Sequence, residues 1–345
     1  LPVAGSFRSI DFALSSMSNS HIQTVAVLTQ YNARSLNEHL SSSKWWNFGR
    51  KQGGLFLFTP TVTADNSDWY RGTADAMYQN IDFLKRRHEP YVIISSGDCV
   101  YKLDFNRVLD FHIEKKSDIT VVCKDMMYND DVSRFGVVRM DDESRITEFD
   151  EKPIEALSNT ISTGIYVIRR RQLIELLEAA AEENRFDFVN DILVRYKNVK
   201  KIYGYKINSY WNNIADIDAY FKTNMDFLRP DIRSYFFREE PTICSKVDDL
   251  PPAKFNPGSD ISNSLVSSGC IINGSVEDSV LFKQVFVGKN TTVKNCVLLN
   301  DVYIGDNVHL ENCIVESRGT INPNTCYCGE DGVMIVKEKN VRYVI

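Results

Sequence analysis

From Leu1 to about Arg229, short apolar runs alternate with stretches of helical period. Thr24–Leu28, Tyr91–Ser95, Ile119–Cys123 and Ile165–Ile168 read as strands, and Ala74–Arg87, Arg171–Glu183 and Ile217–Leu228 as helices. On the first helix Met77, Ile81 and Leu84 share one face at 3.6-residue spacing. This alternation predicts an α/β domain over residues 1–229, an open and mainly parallel sheet covered by helices. Such sheets take ligands beyond the carboxyl ends of their strands. The rhythm is lost over 230–258, where Pro230, Pro241, Pro251, Pro252 and Pro257 predict a linker.

From Ser259 the pattern repeats. Rows of 17 begin at Ser264, Leu281, Leu298 and Val315. The seventh column then reads Cys270, Val287, Ile304, Ile321, and the tenth reads Asn273, Asn290, Asn307, Asn324. The thirteenth reads Val276, Val293, Leu310, Tyr327. Inward residues thus recur at steps of about six, three short strands to a coil, which predicts a parallel β-helix of triangular cross-section over 259–345. Asparagine in one corner column suits the left-handed backbone of a tight turn. Cys270, Cys296 and Cys313 fall in this stack and read as small buried hydrophobes.

Composition narrows the classes of function. The chain has 345 residues, 43% of them hydrophobic, and a formal net charge of −6. No net positive field exists to attract a nucleic acid or an anionic membrane. No run approaches the roughly 18 apolar residues of a membrane span, and no secretory leader is visible. The eight cysteines include no Cys-x-x-Cys pair, and the five histidines show no zinc-ligand spacing. The cysteines therefore read as reduced, and the protein as cytoplasmic.

Four segments of the first domain carry candidate chemistry. In Tyr91–Asp98 a buried strand ends in Gly-Asp, so Asp98 is a hard oxygen ligand suited to Mg²⁺. In Trp69–Ala76, Gly72 permits close backbone approach and Thr73 reads as the N-cap of a helix whose free N–H groups favour an anion. In Glu148–Pro153, Lys152 is a point charge suited to a phosphate. In Ser162–Ile168, Ser162 and Gly164 lie at the entry to a strand, in reach of a sugar. Each also has a plain structural reading: a turn residue, a capped helix, a solvated charge pair, a strand start.

In their order along the chain these segments resemble the glucose-1-phosphate adenylyltransferases (ADP-glucose pyrophosphorylases) of bacterial glycogen synthesis. Trp69–Ala76 and Leu250–Phe255 carry the resemblance most specifically, supported by Leu1–Ser15, Val27–Tyr31, Gly97–Tyr101, Phe135–Val137, Glu151–Pro153 and Ser162–Tyr166. The resemblance implies a nucleotidyltransferase-type, Rossmann-like mixed sheet domain followed by a left-handed parallel β-helix. It implies the reaction of ATP with glucose 1-phosphate to give ADP-glucose and pyrophosphate, with Mg²⁺ as cofactor. By the same resemblance Asp98 ligands the metal, and Lys152 holds the phosphate of glucose 1-phosphate. Glu151, Ser162 and Asp187 contact glucose. Gln30, Trp69 and Tyr70, with Arg71 and Gly72, serve the nucleotide or the loops that couple activation to the site.

Three departures stand out. The second metal carboxylate of the family, in a Trp-x-Asp-x-Gly motif, is Asn213 here. The glycine-rich phosphate segment is expected upstream of Leu1. Ser6 stands where the family places an activator-site lysine. This pattern resembles the regulatory type of subunit found in some Gram-positive bacteria, which pairs with a homologous catalytic subunit in a heterotetramer. A fully catalytic enzyme, as a homotetramer, is the second reading. A β-helix acyltransferase is a remote third, since His309 is the one histidine of the repeat region and shows no acidic partner in sequence.

Overall fold

The computed structural model describes residues 1–49, 53–60, 69–127 and 130–339. They form two compact units: Leu1–Ser15, Gly97–Lys102 and Trp211–Ile345 make one, and Ser16–Ser96 with Leu103–Tyr210 the other. Among the described residues no helix is long and apolar enough to cross a membrane.

The second unit is built on a six-stranded sheet whose central strand is Thr160–Arg169. That strand runs antiparallel to Tyr91–Ser95, Ile119–Asp125 and Gly136–Met140, while Ile202–Ile207 is parallel to Ile119–Asp125. The sheet is therefore mixed, as the resemblance implied, and not mainly parallel as the alternation suggested. Short connections such as that between Gly136–Met140 and Ile146–Glu151 make antiparallel hairpins, because a parallel return needs a longer crossover. Thr24–Leu28 and Gly54–Phe58 form a separate parallel pair. Arg170–Glu182 buries Leu173, Leu176, Leu177 and Ala180 against the six-stranded sheet. Met77, Ile81 and Leu84 also pack there, as their spacing predicts. The expected helix Ala74–Arg87 is broken into Thr73–Gln79 and Ile81–Lys85. At the break Asn80 turns its side-chain amide back to the Ala76 carbonyl (2.9 Å), the local competition that weakens asparagine inside helices.

In the first unit, Phe12, Phe227 and Phe236 are fully buried and close an aromatic cluster with Phe7 and Phe237. The stretch 230–258 contains a helix, Pro230–Phe237, with proline in its first turn where no N–H is needed. Its Lys254–Phe255 strand pairs with Ile271–Ile272 and opens the repeat region.

That region is a parallel β-helix of three five-stranded sheets. Val276, Val293, Leu310 and Tyr327 stack in register as the 17-residue rows predict. The seventh column needs one correction: Val287 pairs with Ile272, not with Cys270, although Cys270 is fully buried. The first coil is two residues shorter at this corner. A Cβ on Gly274 would lie 2.3 Å from the Thr291 carbonyl oxygen, so only glycine allows the backbone to cut the corner. Asn290, Asn307 and Asn324 have left-handed backbone (φ 54°, 57° and 62°) and join side chain to side chain, whereas Asn273 stands outside that conformation. Cys296 and Cys313 are fully buried, as expected.

Gly274→Ala is expected to destabilise the protein by about 1–3 kcal/mol, the usual cost of overpacking. Denaturant unfolding tests this, and an unchanged midpoint would show that the corner has room.

Candidate functional site

Four groups hold the residues singled out by sequence. In the second unit, the Gln30 side-chain oxygen accepts a hydrogen bond from the Tyr70 backbone N–H at 2.6 Å, and the Tyr70 hydroxyl accepts one from Asn80 at 3.0 Å. Trp69 stacks on Tyr31 with ring centroids 5.6 Å apart and planes 18° apart. Both rings are exposed, Trp69 at 59% and Tyr31 at 75%, so the pair offers an open aromatic face on which a planar base can stack. Tyr31 was not among the expected site residues. Its signal is position alone, one residue after Gln30 and three after the end of the strand Thr24–Leu28.

The second group is the entry to the helix Thr73–Gln79. Gly72, not Thr73, is the N-cap. The leading N–H groups are not open to an anion: those of Ala74 and Asp75 both donate to the Phe186 carbonyl, at 2.8 and 3.2 Å. A Cβ on Gly72 would lie 2.3 Å from that same oxygen, so the glycine serves a backbone-to-backbone contact. Thr73 accepts from the Phe188 N–H at 3.0 Å. The Arg71 guanidinium lies 3.8 Å from the centre of the Phe186 ring and pairs with buried Asp75 at 3.4 Å. The block Trp69–Ala76 therefore clasps the loop carrying Asp187.

The third group is continuous with the second through that loop. Glu151 ends the strand Ile146–Glu151, and Lys152 follows with left-handed backbone (φ 50°), its N–H held by the Phe135 carbonyl at 3.0 Å. A lysine in that conformation stores strain of order 1–3 kcal/mol, which persists where neighbouring structure enforces it and often at ligand sites. Its side chain is exposed. Glu151 is half-buried; burial holds its carboxyl above the ordinary range, Lys152 pulls it down, and Asp187 pushes it up. Ser162 is buried and donates to the Tyr166 hydroxyl at 3.3 Å. Tyr166 is buried as well, its phenol pushed up by that burial and by the charges of Glu151 and Asp187. Ser162 and Gly164 lie within the strand Thr160–Arg169, not at its start, at an irregularity where the register with Ile119–Asp125 shifts. The structure thus joins Glu151, Ser162 and Asp187 around Tyr166, with Lys152 beside Glu151; sequence reasoning missed Tyr166 because its role is visible only across the sheet.

The fourth group is in the first unit. Cys99–Tyr101 and Trp211–Asn213 pair antiparallel, with Asn213 opposite Cys99, and the Ile214 N–H donates to the Asp98 carbonyl at 2.9 Å. Asp98 and Asn213 are thereby neighbours. Between them sits the buried Cys99 thiol, which donates to the Asp98 carboxylate at 3.4 Å and lies 3.6 Å from the Asn213 amide nitrogen. Burial, then the Asp98 charge, pushes this thiol well up, so it stays neutral. The Asn213 oxygen accepts from the Ala215 N–H at 2.9 Å. One carboxylate with a neutral amide oxygen fits Mg²⁺, which commonly takes one or two carboxylates plus phosphate oxygens, but without the second negative charge.

Residues 1–229 match the nucleotidyl transferase family, and residues 251–336 match the GlmU-like C-terminal hexapeptide family. The chain is 37% identical over 294 residues to the glucose-1-phosphate adenylyltransferase of Clostridium novyi (strain NT), covering 84% of this chain and 77% of that protein. It is 36% identical over 291 residues to that of Bacillus subtilis (strain 168), covering 84% and 76%. The chain belongs to the glucose-1-phosphate adenylyltransferase family. The counterpart from Clostridium acetobutylicum is 38% identical over 294 residues, covering 84% and 77%. On the β-helix of the first unit, His309 does have an acidic partner, Glu311, 3.5 Å away.

Glu151→Gln tests the third group. A carboxyl raised by burial contributes stability below its unfolded pKa and loses it as pH rises through the folded value. The variant is therefore expected to gain thermal stability over the parent from about pH 4 upward, with the gap widest near neutrality. A gap constant between pH 4 and 7 would mean that Glu151 is fully solvated.

Proposed function

We propose that this chain is a subunit of glucose-1-phosphate adenylyltransferase whose own site turns over weakly or not at all, and whose part in ADP-glucose formation is regulatory. The observation that carries this reading is Asn213: neutral, beside Asp98, with its oxygen already engaged by the Ala215 N–H. Transfer of an adenylyl group to a sugar phosphate depends on positioning and on charge neutralisation at phosphorus. Mg²⁺, when bound, would supply that neutralisation, an effect worth several kcal/mol. Asp98 would hold it alone among charged ligands, while Asn213 would contribute at most a dipole.

The remaining residues support substrate binding. Lys152, held in place by its backbone, would take the phosphate of glucose 1-phosphate as a point charge. Glu151 and Asp187 would accept hydrogen bonds from glucose hydroxyls. The Ser162 hydroxyl is turned to Tyr166, so a sugar contact from this residue would require it to exchange that bond. The Trp69–Tyr31 face would stack the adenine, with Gln30 and Tyr70 fixing the loop. Arg71 and Gly72 would act indirectly by clasping the loop of Asp187. Ser6, exposed and 3.3 Å from the Ser267 hydroxyl, would give an anionic activator no cation at that position. We further propose a cytoplasmic tetramer, with homologous catalytic subunits as the partner. A fully catalytic homotetramer is the second reading, favoured by the retained Asp98 and Lys152.

Pyrophosphate release from ATP and glucose 1-phosphate with Mg²⁺ is the test, for the full protein alone, for its Asn213→Asp variant and for Asp98→Asn. Asn213→Asp is expected to raise the rate at least about tenfold, each factor of ten being about 1.4 kcal/mol of barrier, and Asp98→Asn to abolish what activity exists. Robust parent activity, unchanged by Asn213→Asp, would overturn the regulatory reading in favour of the catalytic one.

A further inference from the structure

Four side chains of types that ligate metals share the outer surface of the β-helix, and the proposed function uses none of them. The strands His309–Glu311 and Cys326–Cys328 are neighbours in parallel register, with His309 opposite Cys326 and Glu311 opposite Cys328. Between them Leu310 is fully buried and Tyr327 packs on the inner core. Because side chains alternate along a strand, the four flanking residues share the outward face. The His309 Nε2 lies 3.5 Å from the Glu311 Oε2, and the two cysteine Sγ atoms lie 3.6 Å apart. One ligand atom each from His309, Glu311 and Cys328 falls within 4.8 Å of the others.

The 3.5 and 3.6 Å separations are those of adjacent ligands around one ion. With zinc–sulfur bonds of about 2.3 Å and zinc–nitrogen bonds of about 2.0–2.1 Å, ligand atoms of a tetrahedral site stand roughly 3.3–3.8 Å apart. The side chains are half-buried or exposed, so small rotamer changes close the rest. We propose that His309, Glu311, Cys326 and Cys328 form a site for a borderline-soft divalent cation of the zinc type. Thiolate with imidazole selects such an ion over Mg²⁺ or Ca²⁺, which prefer oxygen. A disulfide is the poorer use of the two cysteines. Residues two apart on a strand stand about 6.6 Å apart at Cα, at the far end of the range a disulfide spans.

Binding exchanges two thiol protons for one cation, so affinity rises with pH. Lys294 also faces the cluster, 3.9 Å from the Glu311 Oε1, and balances the carboxylate until an ion displaces it. The bound ion would clip two successive coils near the end of the solenoid, where a repeat array has a neighbour on one side only.

The test is zinc binding by the full protein, under a phosphine reductant, in competition with a chromophoric chelator. Cobalt substitution reports thiolate ligation through charge-transfer absorption. One equivalent is expected, tighter at higher pH, and at least about 100-fold weaker in Cys326→Ser/Cys328→Ser and in His309→Ala. Cys244→Ser, an exposed cysteine outside the cluster, should leave it unchanged. Zinc should also raise the unfolding temperature of the parent and not of the variants. If the double variant fails to fold, His309→Ala and Glu311→Gln carry the test. No binding by the reduced parent, or equal binding by parent and His309→Ala, overturns the proposal.

Discussion

Register between paired strands is the constraint on which three of the side-chain clusters in this protein rest. A side chain faces one side of a sheet or the other according to parity, and a slip of one residue reverses the whole set. Asn213 lies beside Asp98 because Trp211–Asn213 pairs with Cys99–Tyr101 in one register, with Asn213 opposite Cys99. Glu151 ends its strand opposite Gly136, and that pairing delivers Lys152 into the turn held by the Phe135 carbonyl. His309 meets Cys326, and Glu311 meets Cys328, by the same rule on the β-helix. Main-chain hydrogen bonds enforce all three registers, so no side chain has to seek its partner.

Onto this frame the chain places charge unevenly. Around Tyr166 two half-buried carboxylates, Glu151 and Asp187, gather, and burial raises Glu151 while the exposed Lys152 beside it offsets the rise. Such a setting suits a polyhydroxyl ligand bearing one phosphate: the acids take hydroxyl protons and the lysine takes the anion. Around Asp98 the balance differs. The neutral Cys99 thiol and the neutral Asn213 amide flank a single carboxylate. The negative charge that Asp98 and Asn213 together could offer a divalent cation is half that of a pair of aspartates. A site can keep its shape under such a change while losing much of its electrostatic purpose, and that is the physical content of a regulatory reading.

Positioning in the second unit works through the backbone. The Phe186 carbonyl takes both leading N–H groups of the helix Thr73–Gln79, and Gly72 lets the two chains approach. Arg71 then covers the Phe186 ring and returns to Asp75. A block that reads in sequence as an anion-binding helix start is thus a clasp on the loop of Asp187. The aromatic face of Trp69 and Tyr31 stands at the other end of the same block.

The succession of an α/β domain and a β-helix, most strands, the apolar face of Met77, Ile81 and Leu84, and the stacked columns of the β-helix were legible in sequence, because hydrophobic periodicity is a local signal; the two compact units, which join Leu1–Ser15 and Gly97–Lys102 with Trp211–Ile345, were not. Also legible were Asp98, Lys152 and the unusual Asn213, as motif residues in a recognisable order. What only the tertiary structure decided were pairings between segments far apart in the chain. These include the mixed sense of the sheet, the Phe186 carbonyl taking the helix N–H groups, and the thiol between Asp98 and Asn213. They include also the shortened corner at Gly274 and the meeting of His309 with Cys326. Periodicity states which face of an element is apolar. Which residue lies opposite which depends on backbone hydrogen bonds across the sheet, and those have no signature in the linear order of side chains.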